Sequence, residues 1–140
     1  MRREHLITAA RVIFGLFYFG TGVAIALFYL FGWGGPPSQP TVAAQAFTDA
    51  LSQSRFLDPL LALSYLVGGG ALLFRRTAPL GLAVLAPVVL VIFTFHLVLS
   101  GQWMWGTLNL VWLLALAWQF RSAFRPLWTY ALPSASVRAV

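Results

Sequence analysis

The sequence predicts an all-α integral membrane protein: a single-domain, four-transmembrane-helix bundle with a short interfacial helix in its outer loop. Three observations carry that expectation. Hydrophobic residues make up 60% of the 140 residues and charged residues 9%, against roughly 45–50% and about 25% in soluble domains, so the chain has too few charges to coat a water-facing surface. The charges it does have stand at the ends of long apolar runs. One such run, Thr77 to Phe120, continues for forty-four residues without a charge; as one helix it would be about 66 Å long, twice the hydrocarbon core of a bilayer.

The first span is Val12 to Phe31, twenty uncharged residues and about 30 Å of helix. Arg11 precedes it and is expected to snorkel to the cytoplasmic interface. Arg2-Arg3 and Ala24-Ile25-Ala26 imitate a signal peptide, but the apolar stretch outruns a signal core, so the span reads as retained. Gly32-Trp33-Gly34-Gly35-Pro36-Pro37 breaks the helix. Thr41 is then a candidate N-cap for a short amphipathic helix whose apolar face holds Val42, Ala46, Phe47, Ala50 and Leu51, lying at the outer interface.

The second span is Leu57 to Phe74, with Gly68-Gly69-Gly70 placed where membrane helices approach closely. The long uncharged run must cross twice, turning at Ser100-Gly101-Gln102. That gives Ala78 to Leu99 as the third span, kinked by Pro87, and Trp103 to Phe120 as the fourth. The tail after Pro126 reads as an interfacial or loose end.

Orientation follows from arginine. All nine basic residues are Arg. Arg2, Arg3, Arg11, Arg75, Arg76, Arg121, Arg125 and Arg138 fall on one side of the four-span arrangement and Arg55 alone on the other. The positive-inside rule places both termini in the cytoplasm. Trp33, Trp103 and Trp105 mark the outer interface, and Trp118 and Trp128 the inner one. The expected location is a bacterial plasma (inner) membrane, since Arg to the exclusion of Lys suits a GC-rich genome.

Composition also removes chemistry. Without Cys there is no disulfide, thiol nucleophile, iron–sulfur cluster or Cys-zinc site. Without Lys there is no P-loop and no Schiff base. Glu4, Asp49 and Asp58 are the acids, none deep in an apolar run, so paired-carboxylate catalysis is not expected. The net charge of +6 sits at span ends rather than on one polar face, which argues against nucleic acid.

Uncharged polar groups within the spans are the best leads, because each costs energy unless paired. Thr21, Ser64, Tyr65, Thr94, His96, Asn109 and Gln119 are the set. Thr and Ser are expected to bond their own helix backbone, and Gln119 sits at the inner edge. His96 lies about 5 Å inside the outer end of span three and Asn109 about 9 Å inside that of span four. With Tyr65 of span two they could line one pocket in the outer half; the alternative is a His96–Asn109 bond that only joins spans three and four. Haem is not expected in a single chain, because His5 and His96 lie at opposite faces, roughly 30 Å apart.

Spans two to four resemble the DoxX family of small four-helix membrane proteins. The carrying residues are Phe56-Leu57-Asp58-Pro59-Leu60-Leu61 leading to Gly68-Gly69, Ala78-Pro79-Leu80 through Leu85-Ala86-Pro87, Phe93-Thr94-Phe95-His96, and Arg121-Ser122-Ala123-Phe124-Arg125-Pro126-Leu127. Ala46-Phe47 to Leu51 is similar to the short helix that family members place before span two. The chain departs from the family at Ala62 and Tyr65, where members often carry Lys and Glu, at Val91, where they often carry Asn, and at Thr21-Gly22-Val23-Ala24, which lacks a late Lys. The resemblance implies an association with membrane redox chemistry, since one branch supplies a subunit of a thiosulfate:quinone oxidoreductase.

The leading expectation is therefore a membrane subunit supporting quinone-linked redox chemistry. It would carry no covalently bound cofactor and no catalytic constellation of its own, would bind quinone through His96, Asn109 and Tyr65, and would serve a soluble or membrane oxidoreductase. A quinone site needs an apolar cleft with one or two hydrogen-bonding groups. The alternatives are a scaffold or escort that docks a partner through Gly32 to Arg55, and a carrier of a small lipophilic solute. No internal repeat is present, which weighs against the carrier. A homo-oligomer is compatible with any of these.

Overall fold

The computed structural model describes residues 2–35 and 38–128. Those residues form helices and no strand. Helix α1 is Arg2–Phe31, α2 Val42–Gln53, α3 Leu57–Leu73, α4 Ala78–Phe95, α5 Trp103–Gln119 and α6 Arg121–Trp128. A π-helical turn, His96–Ser100, prolongs α4. Helix α1 packs on α3, α3 on α4, α4 on α5, and α5 touches α1 again. The expected span boundaries agree with these helices to within a residue or two, except that α1 begins ten residues earlier than the apolar run. Trp128's side chain, Arg138, Pro36, Pro37 and the tail after residue 128 lie outside the described set.

Among the described residues, two helices are long and apolar enough to cross a membrane: Glu4–Phe31 within α1, and α4 with its π turn, Ala78–Ser100. A third candidate arises if α2 and α3 are counted together, but they meet at 92°. Helices α3 and α5 have 17 residues each, about 26 Å of helix. Their outward faces are apolar too, with Leu60, Leu63 and Val67 on α3 and Leu108, Val111 and Leu114 on α5 all exposed. Little of either candidate span is buried inside the chain. An apolar surface of this extent requires apolar surroundings.

Glycine sets the spacing of the helices. A Cβ on Gly69 would stand 2.5 Å from the Phe19 backbone nitrogen of α1, and one on Gly81 2.6 Å from the Gly68 carbonyl oxygen. Adjacent glycines of α3 thus face different neighbours, Gly68 serving α4 and Gly69 serving α1, as small residues do at close helix crossings. Between these contacts Phe14, Leu72, Leu82, Leu85 and Val89 are completely buried, joined by Leu113 and Leu116.

Arg11 departs from expectation. It does not snorkel outward: it is buried, and its guanidinium donates to the Leu72 carbonyl in the last turn of α3. That carbonyl lacks an intrahelical partner, and a cation there also meets the negative end of the helix dipole.

Helix α2 confirms its cap and corrects its face. The Thr41 hydroxyl accepts from the Ala44 N–H at 3.1 Å and donates to the Leu99 carbonyl of the π turn at 2.6 Å. The side turned to the bundle holds Ala44, Thr48 and Leu51, whereas Val42 is 88% exposed and Ala46 and Ala50 point away. Phe47 lies between, its ring 5.6 Å from that of Phe95. The apolar stripe read from the sequence therefore spans two directions, one against protein and one outward. The turn into α3 is made at Arg55, at φ 62°, with its carbonyl accepting from the Tyr29 hydroxyl.

Candidate functional site

The four long helices diverge at the end that α2 covers. A cavity of about 850 Å³ opens there, walled by α1, α3, the end of α4 and the start of α5, and roofed by α2 and the segment before it. Tyr65, His96 and Asn109 all line it. Toward the opposite end of the bundle lies the buried aliphatic core of Leu72, Leu82, Leu85 and Val89.

Asn109 closes the floor. Its Oδ1 accepts from the Tyr18 hydroxyl at 3.0 Å and its Nδ2 donates to the Trp105 carbonyl at 2.9 Å. Both ends of the amide are thus engaged within the chain, and the bond made is from α5 to α1, not to His96. The Tyr18 ring in turn packs on Tyr65, centroids 5.3 Å apart. Tyr18 was absent from the polar set read from the sequence, where it looks like one more aromatic between Phe17 and Phe19. The rule that selected Tyr65, a hydroxyl deep in an apolar span, would have selected it as well.

His96 occupies the junction between α4 and its π turn. Its Nδ1 lies 2.8 Å from the Ile92 carbonyl oxygen. A carbonyl can only accept, so Nδ1 carries the proton, and in the neutral ring Nε2 is left as an acceptor. In that tautomer His96 can offer a ligand an acceptor at Nε2. Gly106 of α5 lets this happen, since a Cβ there would fall 2.9 Å from His96 Cβ.

Tyr65 supplies the complementary group. It is only 6% exposed, yet its hydroxyl has no hydrogen-bond partner among the described residues and is not sealed off, so it opens onto the cavity. Asp58, also missed as a site residue, reaches the same cavity from the first turn of α3, accepting from the Ser52 hydroxyl at 2.8 Å. The sequence placed it at a span end; the sharp α2–α3 turn brings it over the opening. Ser64, Thr21 and Thr94 behave as expected and bond the carbonyls of Leu60, Phe17 and Leu90 on their own helices. The resulting site is an aromatic, largely apolar chamber in which the Tyr65 hydroxyl is an unpaired donor and His96 Nε2 an acceptor.

No family model, curated protein or solved structure matches this chain. The functional reading therefore stands on the site itself.

Proposed function

We propose that the chain is a four-span membrane protein with cytoplasmic termini and α2 lying flat on the outer surface, and that its outer-half cavity binds quinone for a partner oxidoreductase. The observation that carries the reading is the free Tyr65 hydroxyl sharing one chamber with the His96 acceptor. A quinone carbonyl accepts from Tyr65, and a quinol hydroxyl donates to His96 Nε2. The chamber's volume and aromatic walls suit a flat ring. Reducing a quinone to quinol takes up two protons and two electrons. His96 can pass on one proton at a time. The electrons must come from the partner, since the reading assigns this chain only binding and proton handling. The DoxX-like motifs support the redox context.

The right-angle turn between α2 and α3 supports an interfacial α2 over a broken span, because a helix perpendicular to a spanning neighbour lies in the membrane plane. The test is purification from native membrane followed by lipid extraction. Quinone should be recovered from the parent protein and lost from a doubly substituted Tyr65→Phe, His96→Leu variant that still elutes as a folded species. A stoichiometric partner protein with no quinone would instead favour the scaffold reading.

A further inference from the structure

A second hollow of about 480 Å³ lies between α3 and α4 beneath α2. It is not separate from the chamber: Tyr65, Ile92, Phe95 and His96 border both. Its character is different. Leu60, Pro87 and Val91 form its outer edge and are exposed on the apolar flank of the helices. Its own hydroxyls are spent, Ser64 on the Leu60 carbonyl and Thr48 on those of Ala44 and Gln45. Away from the boundary that Tyr65, His96 and Asp58 share with the chamber, the hollow therefore offers a ligand no free donor. Pro87 stands on its rim, where its ring replaces the N–H that would otherwise reach the Ala83 carbonyl.

We propose that this hollow is a side door to the bilayer, and that the ligand is a single-tailed amphiphile with a small uncharged head. The head lies in the chamber against Tyr65 and His96. The tail runs out between α3 and α4, past Ser64 and Val91, into lipid. The proposal rests on the reading that these helices cross the membrane and narrows the quinone reading to one with a long apolar chain. Apolar groups placed in an apolar groove gain contact without stranding polar atoms, whereas a charged or doubly polar ligand would leave its far end unpaired there.

The chain contains no Cys, so a single Ser64→Cys substitution puts a thiol in the door, with Val111→Cys on the exposed face of α5 as the reference. Each variant, in nanodiscs, is labelled with N-ethylmaleimide in the presence of a fully ring-substituted benzoquinone with a decyl tail, the same ring with a methyl group in place of the tail (full substitution keeps either ring from adding the thiol), or monoolein. Binding is followed in parallel by calorimetry. At about ten times its Kd the tailed quinone should slow labelling of Ser64→Cys roughly elevenfold, by simple occupancy, and leave Val111→Cys unchanged, while the tail-less ring binds without protecting. If both quinones bind and neither protects Ser64→Cys, the side door is wrong and the quinone reading survives. If monoolein protects and neither quinone binds, the side door stands and the quinone reading falls. Equal protection of Ser64→Cys and Val111→Cys overturns the side door, because it reports only a change in the surrounding lipid.

Discussion

Arg11 lies under a carbonyl that α3 leaves unpaired at its end, and Asn109 bridges two helices with both halves of its amide. In an apolar medium each of these groups must find its partner within the protein. Replacing Arg11 by Leu removes a charged donor and leaves the Leu72 carbonyl open, and should cost about 1.5–3 kcal/mol, read as a lower unfolding temperature in detergent; Arg11→Lys should recover part of it. The Tyr18–Asn109 bond should be worth about 0.6 kcal/mol in a double-mutant cycle of Tyr18→Phe and Asn109→Leu. His96→Leu should show no coupling to Asn109→Leu, because the two side chains do not bond each other. A coupling as large as that of the tyrosine would restore the His96–Asn109 bond as the joint between α4 and α5. Polar residues in charge-free runs were legible as candidates, since the cost of burying them is visible in one dimension. Their partners were not, because pairing depends on how each helix is rotated. That is why Asn109 joins α1 and why the histidine proton lies on Nδ1.

Helix boundaries were the most legible feature of the elements, because a run of apolar residues ends where charge or Gly-Pro punctuation begins. Facing was less so. Val42 and Ala44 are two residues apart and equally apolar, yet one is exposed and the other fully buried. An apolar stripe cannot tell protein from lipid when both are apolar. The Gly68-Gly69-Gly70 run gives a finer test at this scale. Gly69→Ala drives a methyl into the α1 backbone and should destabilise by about 1–3 kcal/mol. Gly70→Ala meets only the Phe19 ring at 3.5 Å and should be neutral or stabilising, by up to about 1 kcal/mol, from helix propensity. Unfolding of the two variants in mixed detergent micelles separates them, and equal loss would mean that α3 does not sit on α1 at this register. For α2, Ala44→Asp should be far more damaging than Gln45→Asp, with thermal stability again the readout.

The arrangement of the whole molecule was read from charge, and charge acts over the length of the chain where side-chain rotation does not matter. In the proposed four-span arrangement, eight arginines fall on one side and one on the other, which under the positive-inside rule proposes an orientation without any knowledge of packing. A cysteine at Ser38 should react with a membrane-impermeant maleimide added to intact cells, and one at Thr77 should not; the opposite pattern would invert the protein. The chamber was less legible than the helix boundaries, because it exists only where α2 folds back over the helices and where Gly106 brings α5 to His96.

The chamber lies at the α2 end of the bundle, and the buried aliphatic core lies between it and the other end. This imposes a sidedness on anything that happens there. A ligand admitted at that end cannot be delivered to the far face without repacking Leu72, Leu82, Leu85 and Val89, so turnover would leave solute gradients untouched. Protons are another matter. Those exchanged with a quinone beside His96 and Tyr65 have their short route to water past Asp58 and the roof, on the α2 side. With the orientation inferred from arginine, each quinone that the partner reduces to quinol with two electrons would draw its two protons from the outside. Proteoliposomes that hold the protein facing one way, with a pH-sensitive dye trapped inside, would show on which side the protons are consumed.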